Sequence, residues 1–156
     1  MGPALRVGLI SDTHGLLRPE ALDFLAGADH IVHGGDIGNP EILERLAQIA
    51  PLTVVRGNND TAAWARTIPE TARLDLGGVG VYAIHDLKRL DIDPAAARVR
   101  VVVSGHSHKP ACSERGGVLY VNPGSAGRRR FSLPIAAGEL LIDDGKVEVN
   151  LVTLAK

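Results

Sequence analysis

LRVGLISDTHG, residues 5–15, is the stretch on which the reading of the fold turns. The apolar run LRVGLI fits a buried strand. It gives way at once to Ser11, Asp12, Thr13, His14 and Gly15. Ser, Asp, Thr and Gly are turn and helix-cap residues, so a plain turn accounts for the composition. It does not account for an aspartate and a histidine one residue apart where a strand ends.

Outward from this stretch, strand and helix alternate. PEALDFLAGA, from Pro19, predicts a helix with proline in its first turn. HIVHGGD (30–36) returns to strand. In NPEILERLAQIA (39–50), Asn39 can cap a helix, Pro40 fits its first position, and Ile42, Leu43 and Leu46 recur at helical spacing. LTVVRGNND (52–60) is strand running into turn. The order β-α-β-α-β predicts a parallel sheet with right-handed crossovers. The second half is richer in hairpins. RLDL and VGVYAIH flank a Gly-Gly turn, RVRVVVSGHSH (98–108) is strongly β-branched, and GVLYVNPGS, ELLI and KVEVNLVTL follow, the last two joined by DDGK. Two packed mixed sheets flanked by helices, an α/β architecture in one domain over 1–156, accommodate the whole pattern.

Composition narrows the function. The chain has 156 residues, 45% of them hydrophobic, and a formal net charge of −1, which argues against general polyanion binding. At 3% aromatic residues, a stacking platform for single-stranded nucleic acid is not expected. Cys112 is the only cysteine, which excludes an intrachain disulfide and a Cys-based zinc knuckle. No apolar run approaches the ~20 residues needed to cross a bilayer. No signal-peptide core or myristoylation pattern follows MGPALR, so no membrane partner and a reducing, cytoplasmic setting are expected. A homo-oligomer is left open.

Five apolar strands end in metal-competent side chains: Asp12 and His14, Asp36, Asn58, His85, and His106 with His108. Ligands of open α/β sheets bind outside the carboxyl ends of strands, so these seven residues are expected on one rim. In extended backbone, residues i and i+2 share a face. On that ground Asp12 with His14, and His106 with His108, each reach a site together. A turn needs no such pairing. A mixed Asp, His and Asn set suits Mn, Fe, Zn, Co or Ni better than Mg or Ca alone. Seven ligands exceed the three typical of an open catalytic zinc. Two metals sharing one carboxylate, able to activate a bridging water for in-line displacement, is the economical reading.

In order, SDTHG, GGD, GNND, IHD and SGHSH resemble the motifs of the calcineurin-like metallophosphoesterase superfamily. VNPGS (121–125) is similar to its small bacterial and archaeal phosphodiesterase branch. The resemblance covers residues 5 to about 127 and implies a β-sandwich flanked by helices. It implies one metal held by Asp12, His14, Asp36 and His108, and another by Asp36, Asn58, His85 and His106, with Asp36 bridging. The implied function is a phosphodiesterase, a hydrolase of a small phosphoester, using two divalent metal ions with manganese first and Ni, Co, Zn or Fe as alternatives. Asn58, Asp36 and His85 would be catalytic, and Asn58 and Asn59 would face substrate, while Arg128 is a candidate substrate contact on its own chemistry, a guanidinium able to meet a phosphate by bidentate hydrogen bonds. Arg128–Arg130 also reads as a solvated loop. Two positions depart from the family pattern. Asn59 stands where relatives carry a proton-donating His, or Cys in the small branch, and Asp86 stands where Gly is common. A eukaryotic retromer subunit resembles the same branch, so a protein-binding scaffold is the alternative. His33 is expected to be a packed or supporting histidine, Asp60 a cap for TAAWAR, and Cys112 a small core residue.

Overall fold

The structure, a computed structural model, describes residues 4–155. Among them the order is β1 (Leu5–Ile10), α1 (Pro19–Leu25), β2 (His30–His33), α2 (Pro40–Ala47), β3 (Leu52–Val54), β4 (Thr71–Leu76), β5 (Val79–Ile84), β6 (Val101–Val103), β7 (Ala111–Arg115), β8 (Val118–Asn122), β9 (Ile135–Asp143) and β10 (Lys146–Ala155). Short 3-10 turns lie at Ala63–Ala65 and Leu87–Arg89. One five-stranded sheet runs β10-β9-β1-β2-β3 and the other β4-β5-β6-β8-β7. In the first, β1, β2 and β3 are parallel and β9 is antiparallel to β1. In the second, β5, β6 and β8 are parallel, and β4 and β7 close its edges antiparallel.

Alternation along the strands makes the layers. In β1, Val7 and Leu9 face the second sheet and pack with Val81, Val101 and Val103. Ile10 faces the other way, into a layer with Leu25 of α1 and Ile42 and Leu46 of α2. The outer face of the second sheet, through Tyr82, Ile84 and Val102, is covered by Leu87, Leu90 and Ile92. That cover has the 3-10 turn as its regular element. The cap of α2 forms as the sequence indicates, with Asn39 Oδ1 accepting the Ile42 N–H at 3.2 Å and Pro40 next to it. α1 is shorter than its sequence pattern, ending at Leu25.

One strand escapes sequence reading. β7 (ACSER) is exposed along its whole length, pairing only with β8. With neither face buried it shows no apolar alternation. Cys112 lies on it and is exposed, which corrects the expectation of a core residue. No described helix is long and apolar enough to cross a membrane.

Candidate metal centre

The carboxyl ends of β1, β2 and β3 carry Asp12 and His14, Asp36, and Asn58. Those of β5 and β6 carry His85, His106 and His108. The loops are laced together by backbone. Asp12 N–H donates to Gly35 O at 2.9 Å, His14 N–H to Asp36 O at 2.9 Å, and Gly105 N–H to His85 O at 2.9 Å. Asp12, His14, Asp36, His106 and His108 all have positive φ, between 45° and 73°. Extended backbone therefore is not what pairs these side chains, as the sequence spacing suggested. Left-handed turns do it, conformations that Asp and His tolerate better than most residues. Gly57 allows the close approach: a Cβ there would collide with the Asp36 carboxylate and backbone nitrogen.

Two clusters result. Asp12, His14 and His108 form one; Asp36, His85 and His106 form the other, each with ligand atoms within 4.8 Å of one another. His106 and His108 thus serve different clusters. In the first, His14 Nε2 is 3.3 Å from His108 Nε2, and Asp12 Oδ1 is 3.4 Å from His108 Nε2 and 3.7 Å from His14 Nε2. In the second, His85 Nε2 is 3.2 Å from Asp36 Oδ2 and 3.0 Å from Asn58 Oδ1, with His106 Nδ1 3.2 Å from the same Asn58 oxygen. Asp36 Oδ2 also lies 3.6 Å from His14 Nε2, so it reaches both clusters.

These residues fit a pair of cations. Ligand atoms about 2.1 Å from one ion stand roughly 3.0–3.4 Å apart for octahedral to tetrahedral angles, which matches most of the distances above. Asp12 Oδ2 is satisfied by Ser11 Oγ at 2.8 Å and the His106 N–H at 3.1 Å. Asp12 Oδ1, fully buried, has no hydrogen-bond partner and faces the imidazoles. A buried carboxylate oxygen left without a donor is costly, and a cation removes that cost.

The surroundings fix tautomers. His85 Nδ1–H donates to Gly34 O at 2.7 Å, which turns its Nε2 lone pair toward Asp36 and Asn58. His33, expected to be a supporting residue, is fully buried. Its Nδ1 accepts the Gly35 N–H at 3.0 Å, and its Nε2 lies 3.0 Å from Thr13 Oγ1, which donates to Ile37 O. Both nitrogens are satisfied in the neutral ring, and burial holds its pKa down to about 4. The contact with Asp12 raises the His14 pKa against the opposing effect of burial, with the Asp36 charge adding. Burial opposes a rise at His85, but Asp36 and Asp12 prevail and its pKa goes up. Burial would raise Asp36; the bonds from His85 and the Asn59 backbone outweigh it and bring it to about 2. Burial lowers His108, and the charges of His14 and Arg130 act in the same direction.

Asn59 turns its side chain inward, with Nδ2 donating to Asp36 Oδ2 at 3.1 Å. Arg128 is exposed, its Nε donating to His14 O at 3.3 Å. Asp60 corrects its expected role. It does not cap the following segment, whose 3-10 turn has no side-chain cap. It is buried, and its carboxylate accepts from the Ile37 N–H at 2.9 Å, the Gly38 N–H at 3.3 Å and the Gly57 N–H at 2.9 Å. Ser125 Oγ donates to Asp12 O at 3.0 Å. Only the Gly57 contact is local, three residues before Asp60; Ile37 and Gly38, and the Asp12 partner of Ser125, lie more than twenty residues away and leave no local sequence signal.

Residues 5–145 match the model of the calcineurin-like phosphoesterase superfamily domain. A probable metallophosphoesterase of Methanocaldococcus jannaschii is 30% identical, over 99% of this chain and 84% of its own. Phosphodiesterase YfcE of Escherichia coli K12 is 30% identical over 87% of each chain. Among solved structures, Vacuolar Protein Sorting 29 of Cryptosporidium parvum superposes with a TM-score of 0.78 at 21% identity, covering 99% of this chain and 100% of the other, a likeness of fold. The fold, the strand-end residues and the family match converge: this chain belongs to the calcineurin-like phosphoesterase superfamily.

Proposed function

We propose that the protein is a metal-dependent phosphodiesterase that hydrolyses a small phosphodiester at a binuclear centre, working in the cytoplasm. Asp12, His14, Asp36 and His108 would hold one ion, and Asp36, Asn58, His85 and His106 the other. The observation that carries this reading is Asp12 Oδ1, buried and without a donor, ringed by imidazole nitrogens of both clusters at 3.4–4.0 Å. Manganese leads as the metal, with Ni, Co, Zn or Fe next, because the set mixes imidazoles with oxygen donors. Two such ions supply a water nucleophile at neutral pH and neutralise phosphoryl oxygens.

The chain's own residues do the rest. Asp36 spans the clusters and sets their spacing. Asn58 turns Oδ1 toward two imidazoles, which leaves its amide NH2 to donate to a phosphoryl oxygen as charge develops. Asn59 steadies Asp36 and has no proton of useful pKa to give, so good leaving groups should be favoured. The experiment is a panel of phosphomonoesters and diesters assayed with Mn, Ni, Co, Zn and Mg. Diester hydrolysis that requires a transition metal is expected; no turnover with any metal sinks the reading. The fold likeness to Vacuolar Protein Sorting 29 keeps a partner-binding scaffold in view. Purified protein that retains no transition metal would favour that scaffold.

A further inference from the structure

Two depressions open from the centre and share His106 and Asp86 at their common edge. The first, about 320 Å³, lies beside Asn58 and His85. Its two cations are outnumbered: Arg56 is paired with Glu70 at 2.9 Å, and Arg89 shares the wall with two carboxylates, Asp86 and Asp91. The second, about 520 Å³, runs from His106 across β8 to the edge strand β7. Its excess is of the opposite sign. Lys88, Lys109 and Arg115 line it against one carboxylate, Asp86, and that carboxylate already accepts the Lys88 N–H at 3.1 Å. Among the described residues, none of the three cations has a carboxylate within ion-pair distance. Arg115 is held in place, its guanidinium 4.1 Å from the centroid of the Tyr120 ring.

A diester at the centre has two arms, and these two depressions differ in what they accept. We propose that the basic groove is a subsite for a second phosphate carried on one arm of the substrate. The proposal rests on the phosphodiesterase reading and deepens it: the substrate is an asymmetric diester with a phosphorylated arm and an uncharged one. Lys88, Lys109 and Arg115 receive the extra phosphate by charge-assisted hydrogen bonds, and the uncharged arm lies in the first cleft, whose surplus carboxylate disfavours a second anion. Exposed contacts of this kind are each worth a few-fold in binding, so together they give roughly tenfold.

The test uses the p-nitrophenyl ester of thymidine 5′-phosphate, with and without a 3′-phosphate, at saturating Mn. In both, water adds to phosphorus and the P–O bond to the aryl group breaks. Nitrophenolate leaves with the electron pair, and the protons pass to solvent. The 3′-phosphorylated ester is expected to have the higher kcat/KM, by about tenfold and through KM. That preference should shrink at high salt. In the Lys109→Ala/Arg115→Ala protein the ratio should fall toward one. Lys146→Ala, on the β9–β10 hairpin at the opposite rim, should keep it. A wild-type ratio near one, or a ratio unchanged in the double variant, overturns the subsite. If neither ester is hydrolysed with any metal, the phosphodiesterase reading fails on its own. Calorimetry with thymidine 3′,5′-diphosphate then judges the groove: binding weakened about tenfold in the double variant sustains it, and equal binding overturns it.

Discussion

Asp36 Oδ2 sits 3.2 Å from His85 and 3.6 Å from His14, one imidazole from each cluster. Asp36→Asn therefore should disturb both metals at once, whereas His14→Ala or His85→Ala should weaken mainly one. Elemental analysis of the purified variants decides it, and two metals retained by Asp36→Asn would take that residue out of the bridge. The imidazoles also set the pH dependence. Their neighbouring carboxylates hold the protons of His14 and His85 more tightly than an ordinary imidazole does, so metal competes with protons there at higher pH than at a free ring. Below the raised pKa values each proton costs up to about tenfold in affinity per pH unit, so uptake should weaken as pH falls and recover as it rises. Titration calorimetry with Mn across pH 5.5–8.5 should show this slope and proton release on binding. Affinity flat over that range would contradict ligation through these two rings.

Between the ends of β2 and β3 the loops are joined by one buried carboxylate. Asp60 accepts N–H groups from Ile37, Gly38 and Gly57, and so sets the Asp36 loop against the Asn58 loop. Asp60→Ala leaves three donors without a partner, a loss of about 3 kcal/mol or more and roughly 10 °C in Tm, with metal binding impaired as well. Thermal melting measures it; a Tm within a degree or two of wild type would show that water replaces the carboxylate freely. This residue marks the boundary of what the sequence discloses. The strands carrying Asp12, Asp36, His85 and His106 were legible because each is an apolar run ending abruptly in a metal-competent side chain. The α2 cap was legible because Asn39 and Pro40 act within four residues. Asp60 and Ser125 depend on chain segments brought together from afar, and the partition of His106 from His108, which the motif resemblance implied but the spacing did not, depends on left-handed backbone that composition does not announce. β7 was hidden because an exposed edge strand has no buried face to print a pattern.

The core between the sheets, from Val7 and Leu9 to Val101 and Val103, is apolar and complete without the rim. Stripping metal with a chelator should therefore abolish activity yet leave the far-UV circular dichroism intact, with Tm lowered only by the linkage that bound ions supply. A random-coil spectrum would show that the ions hold the fold. One feature of the rim reaches further. Asp12 comes from one sheet and His108 from the other, and they share a cluster. An ion gripping both would close the intervening chain into a loop, as a knot in a rope shields what lies behind it. Pulled by its ends, the loaded molecule would first yield only the 11 residues before Asp12 and the 48 after His108. That is about 200 Å of slack at roughly 3.6 Å per residue. Force spectroscopy should thus record a partial extension followed by a second rupture in Mn, and a single full-length extension in chelator. Identical traces in both would mean that the rim bears no tension.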